Sequence, residues 1–381
     1  MSEQSTPIPS ATGWQTFGHD AAVRMLDASN IAGRLSHSYL ITGPEQVGRR
    51  TLAIDLACLV NCVPQPDLFG EVPVLDLASC PAAQRIRKGQ HADIRIINTA
   101  TPLKADKVGD DGDSDGAYRQ RISINHIHEL QHDAALKPFE GKARVFIIDG
   151  AETMSAEAAN ALLKTLEEPA EGVYIVLVAS TADALPDTIV SRCQRISLRP
   201  VTPELIAQHL VDRLEVEPEI ADRLAKLSGG RPGWAVAAVK DPAVLELYSQ
   251  AALRILNAVS GDLEERFIYA RELSGRYRRD RDGVLNELHR WLEWWRDAAV
   301  ARAGLRDSVI NSEWMAAFDE IGGQLSEGAI AQAANAVSNT VTALEANAIP
   351  RLALEVMMLN MPPVTLSERS MASTGVTQTS D

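Results

Sequence analysis

The sequence predicts an α/β P-loop module, in which helices flank a parallel sheet, followed by a small helical unit and a longer all-α domain. Up to about Leu198, short apolar runs alternate with segments of helical spacing, which is the order of elements in a parallel sheet. Beyond residues 199–200 the strand signals end, and helical spacing continues to Leu359. The 381 residues exceed the size of one hydrophobic core, so two or three domains are expected.

The elements of the first module can be assigned in chain order. Residues 18–33 have the spacing of an amphipathic helix, and residues 38–42 form a short strand that leads into a glycine-bearing loop and an apolar helix through Leu59. Helical spacing returns at residues 122–136. Residues 144–149 and 173–178 are near-continuous apolar runs, as expected for strands of a sheet that is covered on both faces.

The helix after the strand at 144–149 has clear start and stop signals. Ser155 can accept a hydrogen bond as the N-cap, Glu157 suits the positive end of the helix dipole, and Pro169 ends the helix. The Ala- and Leu-rich body between these residues favours helix over strand.

Charge and cysteine content limit the classes of function. A formal net charge of −14 argues against a protein whose main surface is a uniformly basic nucleic-acid face. The four cysteines are too few and too scattered for a secreted disulfide framework. No apolar run is long enough to span a bilayer and no signal-peptide pattern opens the chain, so we expect a cytoplasmic protein with no membrane partner.

The glycine-bearing loop has the form of a phosphate-binding loop without its functional side chains. A working loop reads G-x-x-x-x-G-K-[ST], in which the lysine contacts the β- and γ-phosphates and the hydroxyl binds magnesium. Gly43 and Gly48 are present, but Arg49 and Arg50 follow them. Thr51 comes one residue late, about 100° further round the helix. We therefore expect no cofactor; ATP could bind only through the backbone N–H groups, and the alternative is an ordinary strand-to-helix turn.

Asp149 ends the apolar strand at 144–149 and would lie at the carboxyl edge of the sheet, where open α/β sheets bind ligands. This is the position of a Walker B aspartate. In P-loop proteins that hydrolyse ATP, an acidic residue directly after this aspartate polarises the attacking water. Here Gly150 occupies that position, and Glu152 is three residues after Asp149. The chain alone is therefore not expected to hydrolyse ATP.

Five segments of the chain together resemble one family. They are GRLSHSYLITGP (33–44), AANALLKTLEEP (158–169), LPDTIVSRCQRI (185–196), LHRWLEWWRD (288–297) and NAIPRLALEVMML (347–359). In this order they are similar to the delta prime subunits of the bacterial DNA polymerase III clamp loader, AAA+ proteins close to the gamma/tau subunits. The segment at 158–169, together with the Ser-Arg-Cys triplet at 191–193, is the most specific part of the resemblance.

The resemblance implies three domains: an AAA+ P-loop-like domain at 13–199, a helical lid at 200–241 and a helical collar at 242–361. Three segments are expected to lie outside the folded parts of these domains: a flexible N-terminus at 1–12, an acidic disordered insertion at about 101–119 and a disordered tail at 362–381. Implied partners are the gamma/tau and delta subunits in a hetero-pentamer, the sliding clamp and primed DNA. Gly233 and Trp234 stand where related proteins place a basic residue that senses the γ-phosphate.

The resemblance also implies a role for Arg192. Delta prime subunits often have a degenerate ATP site and project the arginine of their Ser-Arg-Cys triplet into a neighbouring subunit's site as an arginine finger. Arg192 matches that position, and we expect Ser191 to orient it and Cys193 to pack beneath it. The alternative is that Arg192 forms an ion pair at the end of a strand.

Many members of this family carry a zinc module of four cysteines just before a segment like residues 85–93. Cys62 and Cys80 fit two of these positions, but Leu77 and Ala83 occupy the other two. A closed structural zinc site needs four nitrogen or sulfur ligands, and a lone histidine such as His91 more often caps an element or forms a hydrogen bond. The sequence therefore predicts no bound metal.

Two features of the last domain leave alternatives open. Trp291, Trp294 and Trp295 have helical spacing, and they either stack on nucleic-acid bases or lie in the core or a subunit interface. Another feature is a basic cluster that contacts DNA phosphates or an acidic partner, or is a solvated loop; it comprises Arg276, Arg278, Arg279 and Arg281.

Two other functions are alternatives to a non-hydrolysing clamp-loader subunit. An ATP-hydrolysing motor subunit of the gamma/tau type would need lysine at position 49 and serine or threonine at position 50. A non-enzymatic AAA+-fold scaffold or DNA-binding regulator would have no need of Arg192.

Overall fold

The computed structural model describes residues 11–66, 73–103, 121–346 and 348–367. Contacts divide the chain into two compact units, one up to Val236 and one from Ala237. The acidic insertion expected at 101–119 lies outside the described residues from 104 onward. The strands found are β1 (Ala11–Thr12), β2 (Ser38–Thr42), β3 (Gln65–Pro66), β4 (Pro73–Asp76), β5 (Ile94–Ile97), β6 (Arg144–Asp149), β7 (Val173–Ala179) and β8 (Gln194–Ser197).

Helices occur throughout both units, and in the described part of the second unit they are not joined by any strand. None of the described helices has the length and apolar character that a membrane crossing requires. The helices are α1 (Asp20–Ile31), α2 (Arg49–Asn61), α3 (Pro81–Arg87), α4 (Ile124–Ala134), α5 (Ala156–Glu167), α6 (Asp187–Val190), α7 (Pro203–Leu214), α8 (Pro218–Leu227), α9 (Pro232–Lys240), α10 (Pro242–Ser260), α11 (Leu263–Tyr277), α12 (Arg281–Arg302), α13 (Met315–Gln324), α14 (Glu327–Glu345) and α15 (Pro350–Leu359).

The main sheet has five strands, all parallel, in the order β5-β6-β7-β2-β8. β2 lies between β7 and β8, and its Tyr39 pairs with Val176 on one side and with Gln194 on the other. Because the strands run in one direction, their carboxyl ends share one edge. That edge holds the loop after β2 and the residues after β6.

Successive side chains of the central strands face opposite layers of helices. On β6, Val145 and Ile147 belong to the core beneath α2 and α3, whereas Phe146 and Ile148 belong to the core beneath α4 and α5. The strands are apolar along their length because both faces of the sheet are buried. The predicted parallel sheet flanked by helices, followed by helical structure, is confirmed.

The helix after β6 begins and ends close to the predicted signals. Ser155 Oγ accepts a hydrogen bond from the amide of Ala158 at 3.1 Å, which satisfies one of the free donors at the helix start. The helix α5 ends at Glu167, two residues before Pro169. Glu167 is thus the last residue of a helix whose start and end the sequence predicts.

The sequence does not predict β1, β3, β4 or β5. The first three form a separate small sheet in the order β1-β4-β3, where Ala11 pairs with Leu75, so residues 11–12 are part of the folded unit. The strand β5 is difficult to recognise because Arg95 interrupts its short apolar run. That arginine forms ion pairs with Glu129 and Asp133 on α4.

A separate tryptophan-rich core holds the second unit together. Trp291 and Trp295 are fully buried and Trp294 is 1% exposed. The ring of Trp294 contacts Phe318 edge-on, with the ring centres 4.7 Å apart. The interpretation of the tryptophan stripe as core is confirmed for this unit, and the alternative of base stacking is wrong, because no base can reach buried rings.

A buried arginine ties the last described segment to this unit. Arg266 on α11 is 7% exposed, and its guanidinium donates hydrogen bonds to the carbonyls of Ala258, Val259, Met361 and Pro362. The amide of Thr365 also donates to Gln324 at 3.0 Å. Residues 362–367, which the sequence assigned to a disordered tail, are therefore anchored; the residues from 368 onward lie outside the described part.

Glu287 on α12 is the centre of a buried polar network. Glu287 is 2% exposed, and its carboxylate accepts hydrogen bonds from Arg254, Tyr269 and Arg276. Burial favours a raised pKa for this carboxyl, but the hydrogen bonds and charges of the two arginines outweigh it and lower the pKa below its ordinary value.

Candidate functional site

The loop from Gly43 to Gly48 joins β2 to α2 at the carboxyl edge of the main sheet. Gly43 has a φ of 149°, and a Cβ added to it would lie 2.5 Å from the carbonyl oxygen of Leu198. Gly48 is the N-cap of α2 with a φ of 113°. Both positions strongly favour glycine. The backbone thus has the strand, glycine loop and helix of a phosphate-binding loop.

Arg50 forms an ion pair with Asp149 across this edge. Its Nη1 lies 3.5 Å from Oδ2 of the aspartate, and Thr51 follows in the same turn of α2. Burial raises the pKa of the Asp149 carboxyl, while the charges of Arg50 and Arg49 oppose the rise. Nη1 of Arg49 is buried without a hydrogen-bond partner in the described residues. The site does not fit a magnesium ion, because its carboxylate is paired with a guanidinium and position 50 offers no hydroxyl.

Glu152 lies in a short 3-10 turn after β6 and is tied to the end of β7. Its Oε1 accepts a hydrogen bond from the amide of Ser180 at 3.0 Å. The carbonyl of Ser180 in turn accepts one from the amide of Gly43 at 3.1 Å. Glu152 is therefore held near the glycine loop, and its charge contributes to the raised pKa of Asp149.

The start of α9 contacts the glycine loop through a backbone hydrogen bond. The amide of Gly233 donates to the carbonyl of Gln46 at 2.9 Å, and a Cβ added to Gly233 would lie 2.9 Å from the same oxygen. Gln46 has a φ of 60°, in the left-handed region. Position 233 therefore has no room for the basic residue that related proteins place here.

Arg192 lies at the opposite edge of the sheet from the glycine loop. The strand β8 runs parallel to β2, and its first residue, Gln194, pairs with Tyr39 near the start of β2. The loop begins only after β2 ends, at Gly43, and a strand rises about 3.3 Å per residue, so about 13 Å of strand separates the two sites. Arg192 is therefore too far away to contact a phosphate bound at the glycine loop of its own chain.

The guanidinium of Arg192 is held on the surface by groups of its own chain. Nε donates to Oε1 of Glu167 at 2.8 Å, and Nη2 donates to the same oxygen. Nη1 donates to the carbonyl of Thr188 at 2.8 Å and to Ser191 Oγ at 3.4 Å. The Arg192 side chain is 35% exposed. The ion pair considered as an alternative for this arginine is thus present.

The two residues beside Arg192 have different environments. Ser191 Oγ donates to the carbonyl of Thr188 at 3.2 Å, so the hydroxyl is fixed between that carbonyl and the guanidinium. Cys193 packs against the core beneath α5 and α6. Burial raises the pKa of its thiol to about 12, so the thiol is protonated at neutral pH and is not a nucleophile.

Cys62 and Cys80 are joined in a disulfide bond, a pairing that the sequence analysis does not predict. The two positions that would complete a zinc module, Leu77 and Ala83, are fully buried in the core beneath α2 and α3. Nδ1 of His91 accepts a hydrogen bond from a backbone amide. The residues present do not fit a zinc ion, because the two candidate thiolates are bonded to each other.

The arginine cluster of the second unit is only partly free. Arg276 donates to the buried Glu287 at 2.8 Å, and Arg281 lies over a tyrosine ring, 5.9 Å from its centre. Arg278 and Arg279 are exposed at the end of α11. Half of the cluster therefore has a structural role within its own unit.

Glu167 and Gln46 take part in the site but are not predicted from the sequence. Glu167 lies in the segment 158–169, whose Glu-Glu-Pro ending predicts only the end of the helix. The glycine-rich run around Gly233 does not predict a contact with Gln46. Both residues form contacts between elements that are far apart in the sequence, and the spacing of residues along the chain does not predict such contacts.

A parallel sheet with a glycine loop after one strand, a carboxylate after another and a helix start against the loop defines the P-loop module of the AAA+ class. Residues 18–202 match the family model described as DNA polymerase III, delta subunit. The chain is 32% identical over 206 residues to the DNA polymerase III subunit delta′ of Bacillus subtilis (strain 168), which covers 54% of this chain. Over residues 18–202 this chain is therefore similar to the delta and delta′ subunits of DNA polymerase III.

The chain is also similar to longer relatives. It is 27% identical over 260 residues to the DNA polymerase III subunit tau of Escherichia coli (strain K12), covering 66% of this chain. The match spans 55% of the length of the delta′ relative and 36% of the tau relative. A solved structure, a gamma subunit-related protein from Thermotoga maritima, aligns with a TM-score of 0.42 at 18% identity over 88% of this chain and 98% of that one.

Proposed function

We propose that this chain is a delta-prime-type subunit of a DNA polymerase III clamp loader and supplies Arg192 in trans to the ATP site of a neighbouring subunit. The observation that carries the proposal is the position of Arg192 at the sheet edge opposite its own glycine loop. A partly exposed arginine at this edge cannot contact a phosphate that is bound at the glycine loop of its own chain. The same arrangement suits an arginine finger that reaches across a subunit interface.

The chemistry of the finger follows from the charge of the reaction. Transfer of the γ-phosphoryl group spreads negative charge over its oxygens, and a guanidinium placed against them stabilises the transition state. Such an arginine is worth about 10³–10⁵ in rate where it acts in trans. Ser191 would limit the rotation of Arg192, and Cys193 would anchor the backbone beneath it.

The chain's own site supports the division of labour. The Arg50–Asp149 ion pair leaves no carboxylate for a metal, and Gly150 leaves no acidic group beside it. We infer that the neighbouring gamma/tau-type subunits bind and hydrolyse ATP. The delta subunit, the sliding clamp and primed DNA complete the proposed set of partners. On this proposal residues 200–241 act as a lid and residues 242–361 as the collar that joins the subunits.

Reconstitution with the gamma/tau-type and delta-type subunits of the same organism tests this function. The wild-type chain should restore DNA-stimulated ATP hydrolysis and clamp loading, and Arg192→Ala should lower the hydrolysis rate at the site it serves by about 10³-fold or more. Arg195→Ala is a matched control, since Arg195 is an exposed arginine on β8.

The alternatives give different results in the same assay. A motor subunit would hydrolyse ATP without the other subunits. A scaffold or DNA-binding regulator would assemble and function equally well with Arg192→Ala. An unchanged rate for that variant, with normal assembly, contradicts the proposed role of Arg192.

A further inference from the structure

The donors of Arg192 are largely engaged within its own chain. A guanidinium has five N–H donors in a fixed planar fork. Glu167 accepts from Nε and Nη2, while the carbonyl of Thr188 and the hydroxyl of Ser191 accept from Nη1. The Nε–Nη2 edge, which could bind a phosphate through two parallel hydrogen bonds, is therefore already occupied by Glu167.

Glu167 is the part of this arrangement that competes most directly with a phosphate. It is the only carboxylate among the described contacts of Arg192, and it is itself 50% exposed. A carboxylate and a nucleotide phosphate are both anions that accept from the N–H edges of a guanidinium. A phosphate that binds at the Nε–Nη2 edge must therefore displace Glu167.

We propose that Glu167 is a positioning residue that holds Arg192 in a standby pose until the triphosphate of a neighbouring subunit takes its place. This inference rests on the proposed function of Arg192. Holding the arginine lowers the fraction of molecules whose Arg192 is free to contact the neighbour's phosphate. The apparent affinity for the nucleotide-bound neighbour is reduced in proportion to that fraction. An exposed ion pair is weak, so we expect an effect of about two- to five-fold.

The weakness of the pair suits a standby role. A buried ion pair would hold the arginine too firmly to be displaced, because breaking it would leave a charge without water or partner. Glu167 and Arg192 keep 50% and 35% of their side-chain surfaces exposed, so each can be solvated when they separate. The neighbour's phosphate therefore competes with a contact of modest strength.

The test is a titration of this chain into the gamma/tau-type and delta-type subunits of the same organism, with primed DNA and ATP. Glu167→Gln should lower the half-saturating concentration about two- to five-fold at low salt while leaving the maximal rate of ATP hydrolysis unchanged. The difference should disappear at about 0.5 M salt, because ion pairs on the surface are screened there. Without nucleotide, the variant and wild type should assemble equally well.

Two further variants make the result specific. Glu168→Gln is the matched control, since Glu168 is the next residue, is also exposed and has no described contact with Arg192. Glu167→Asp keeps the charge on a shorter side chain and should fall between wild type and Glu167→Gln.

The outcomes separate this inference from the proposed function. If Arg192→Ala leaves the DNA-stimulated rate of ATP hydrolysis unchanged, the proposed function of Arg192 is wrong, and so is the standby role of Glu167. If Arg192→Ala loses stimulation but Glu167→Gln leaves the half-saturating concentration unchanged or raises it, only the standby role is overturned. A lower maximal rate for Glu167→Gln would also overturn it, because Glu167 would then hold Arg192 in its working pose.

Discussion

Arg50 on α2 and Asp149 at the end of β6 form an ion pair at the position where a nucleotide-binding protein would hold its metal, with Nη1 3.5 Å from Oδ2. The guanidinium is 55% exposed and the carboxylate is 25% exposed. A pair this accessible adds little to stability. Its consequence is for ligand binding, because the charge that would attract a metal–nucleotide complex is already neutralised.

We expect the double variant Arg49→Lys/Arg50→Thr to regain nucleotide binding without hydrolysis. Lysine restores the compact phosphate ligand and threonine the metal hydroxyl, so affinity for Mg-ATP should rise about ten-fold or more. Gly150 still provides no carboxylate for the attacking water. Titration with a fluorescent ATP analogue and an ATPase assay of the isolated chain measure the two effects.

Arg195→Lys is the control for this titration, because it changes an exposed arginine on β8, away from the loop. A wild-type chain that binds ATP with a micromolar dissociation constant would show that the two arginines are compatible with the nucleotide.

Gly233→Ala should destabilise the first unit by about 1–3 kcal/mol, the usual cost of an added methyl group in a closely packed site. The new Cβ would lie 2.9 Å from the carbonyl oxygen of Gln46, so the start of α9 must move away from the loop. Gly275→Ala on α11 is the control: its Cβ meets nothing within 4 Å, and alanine favours a helix. Urea unfolding measures both variants, and equal stability of the two would refute the close contact.

Arg266→Met should cost about 3 kcal/mol, because it leaves buried carbonyls without donors. The loss should also release residues 361–367, which the guanidinium ties to α11. Limited proteolysis followed by mass spectrometry should find faster cleavage after residue 361, and urea unfolding should show the loss of stability. Arg271→Met, an exposed arginine of the same helix, should change neither quantity.

Glu287→Gln should destabilise the second unit by about 3 kcal/mol at pH 7, because Arg254 and Arg276 lose their charged partner. The pKa of Glu287 is lower in the folded state, so its stabilisation is present above its unfolded value of about 4.3 and is lost as pH falls through the folded value. The difference from wild type should therefore shrink below about pH 4. Glu272→Gln, at an exposed position of α11, serves as the control, and a gap that stays constant with pH would contradict the assignment.

Reduction of the Cys62–Cys80 bond should lower the free energy of unfolding by about 3 kcal/mol, as expected for a closed loop of this size. The bond joins residues 18 apart in sequence. Thermal unfolding with and without dithiothreitol measures the effect, and the variant Cys62→Ser/Cys80→Ser should not respond to the reductant. Thiol titration of the denatured, unreduced protein should find Cys58 and Cys193 only. Four reactive thiols would rule out the bond.

The parts of the fold that the sequence predicts are those with strong local signals. The strand β6 and the helix α5 are recognised because a buried apolar run, an N-cap serine and a proline stop agree with one another. The strand β5 is missed because Arg95, which ion-pairs with α4, reads as surface in the sequence. The small sheet is missed because β1 and β3 are only two residues long and the four-residue β4 shows no apolar–polar alternation.

The candidate site divides in the same way. Asp149 and the glycine loop could be placed together because the carboxyl ends of parallel strands meet at one edge. The partner of Arg192 could not be predicted, since Glu167 is 25 residues away along the chain and β7 and α6 lie between them in sequence. The contact of Gly233 with Gln46 likewise depends on how α9 meets the loop in space.

The bonds of Arg266 also have a consequence for the order in which the chain can fold during synthesis. Its carbonyl partners at Met361 and Pro362 are 95 and 96 residues further along, so the second unit cannot complete this anchor until nearly all of its residues have left the ribosome. The main sheet of the first unit is complete once β8 has emerged, at Ser197. Domains tend to fold as units, N-terminal first, as they are made. The P-loop module can therefore form while the helical unit is still being translated, and the helical unit is exposed to chaperones and proteases until its last segment arrives.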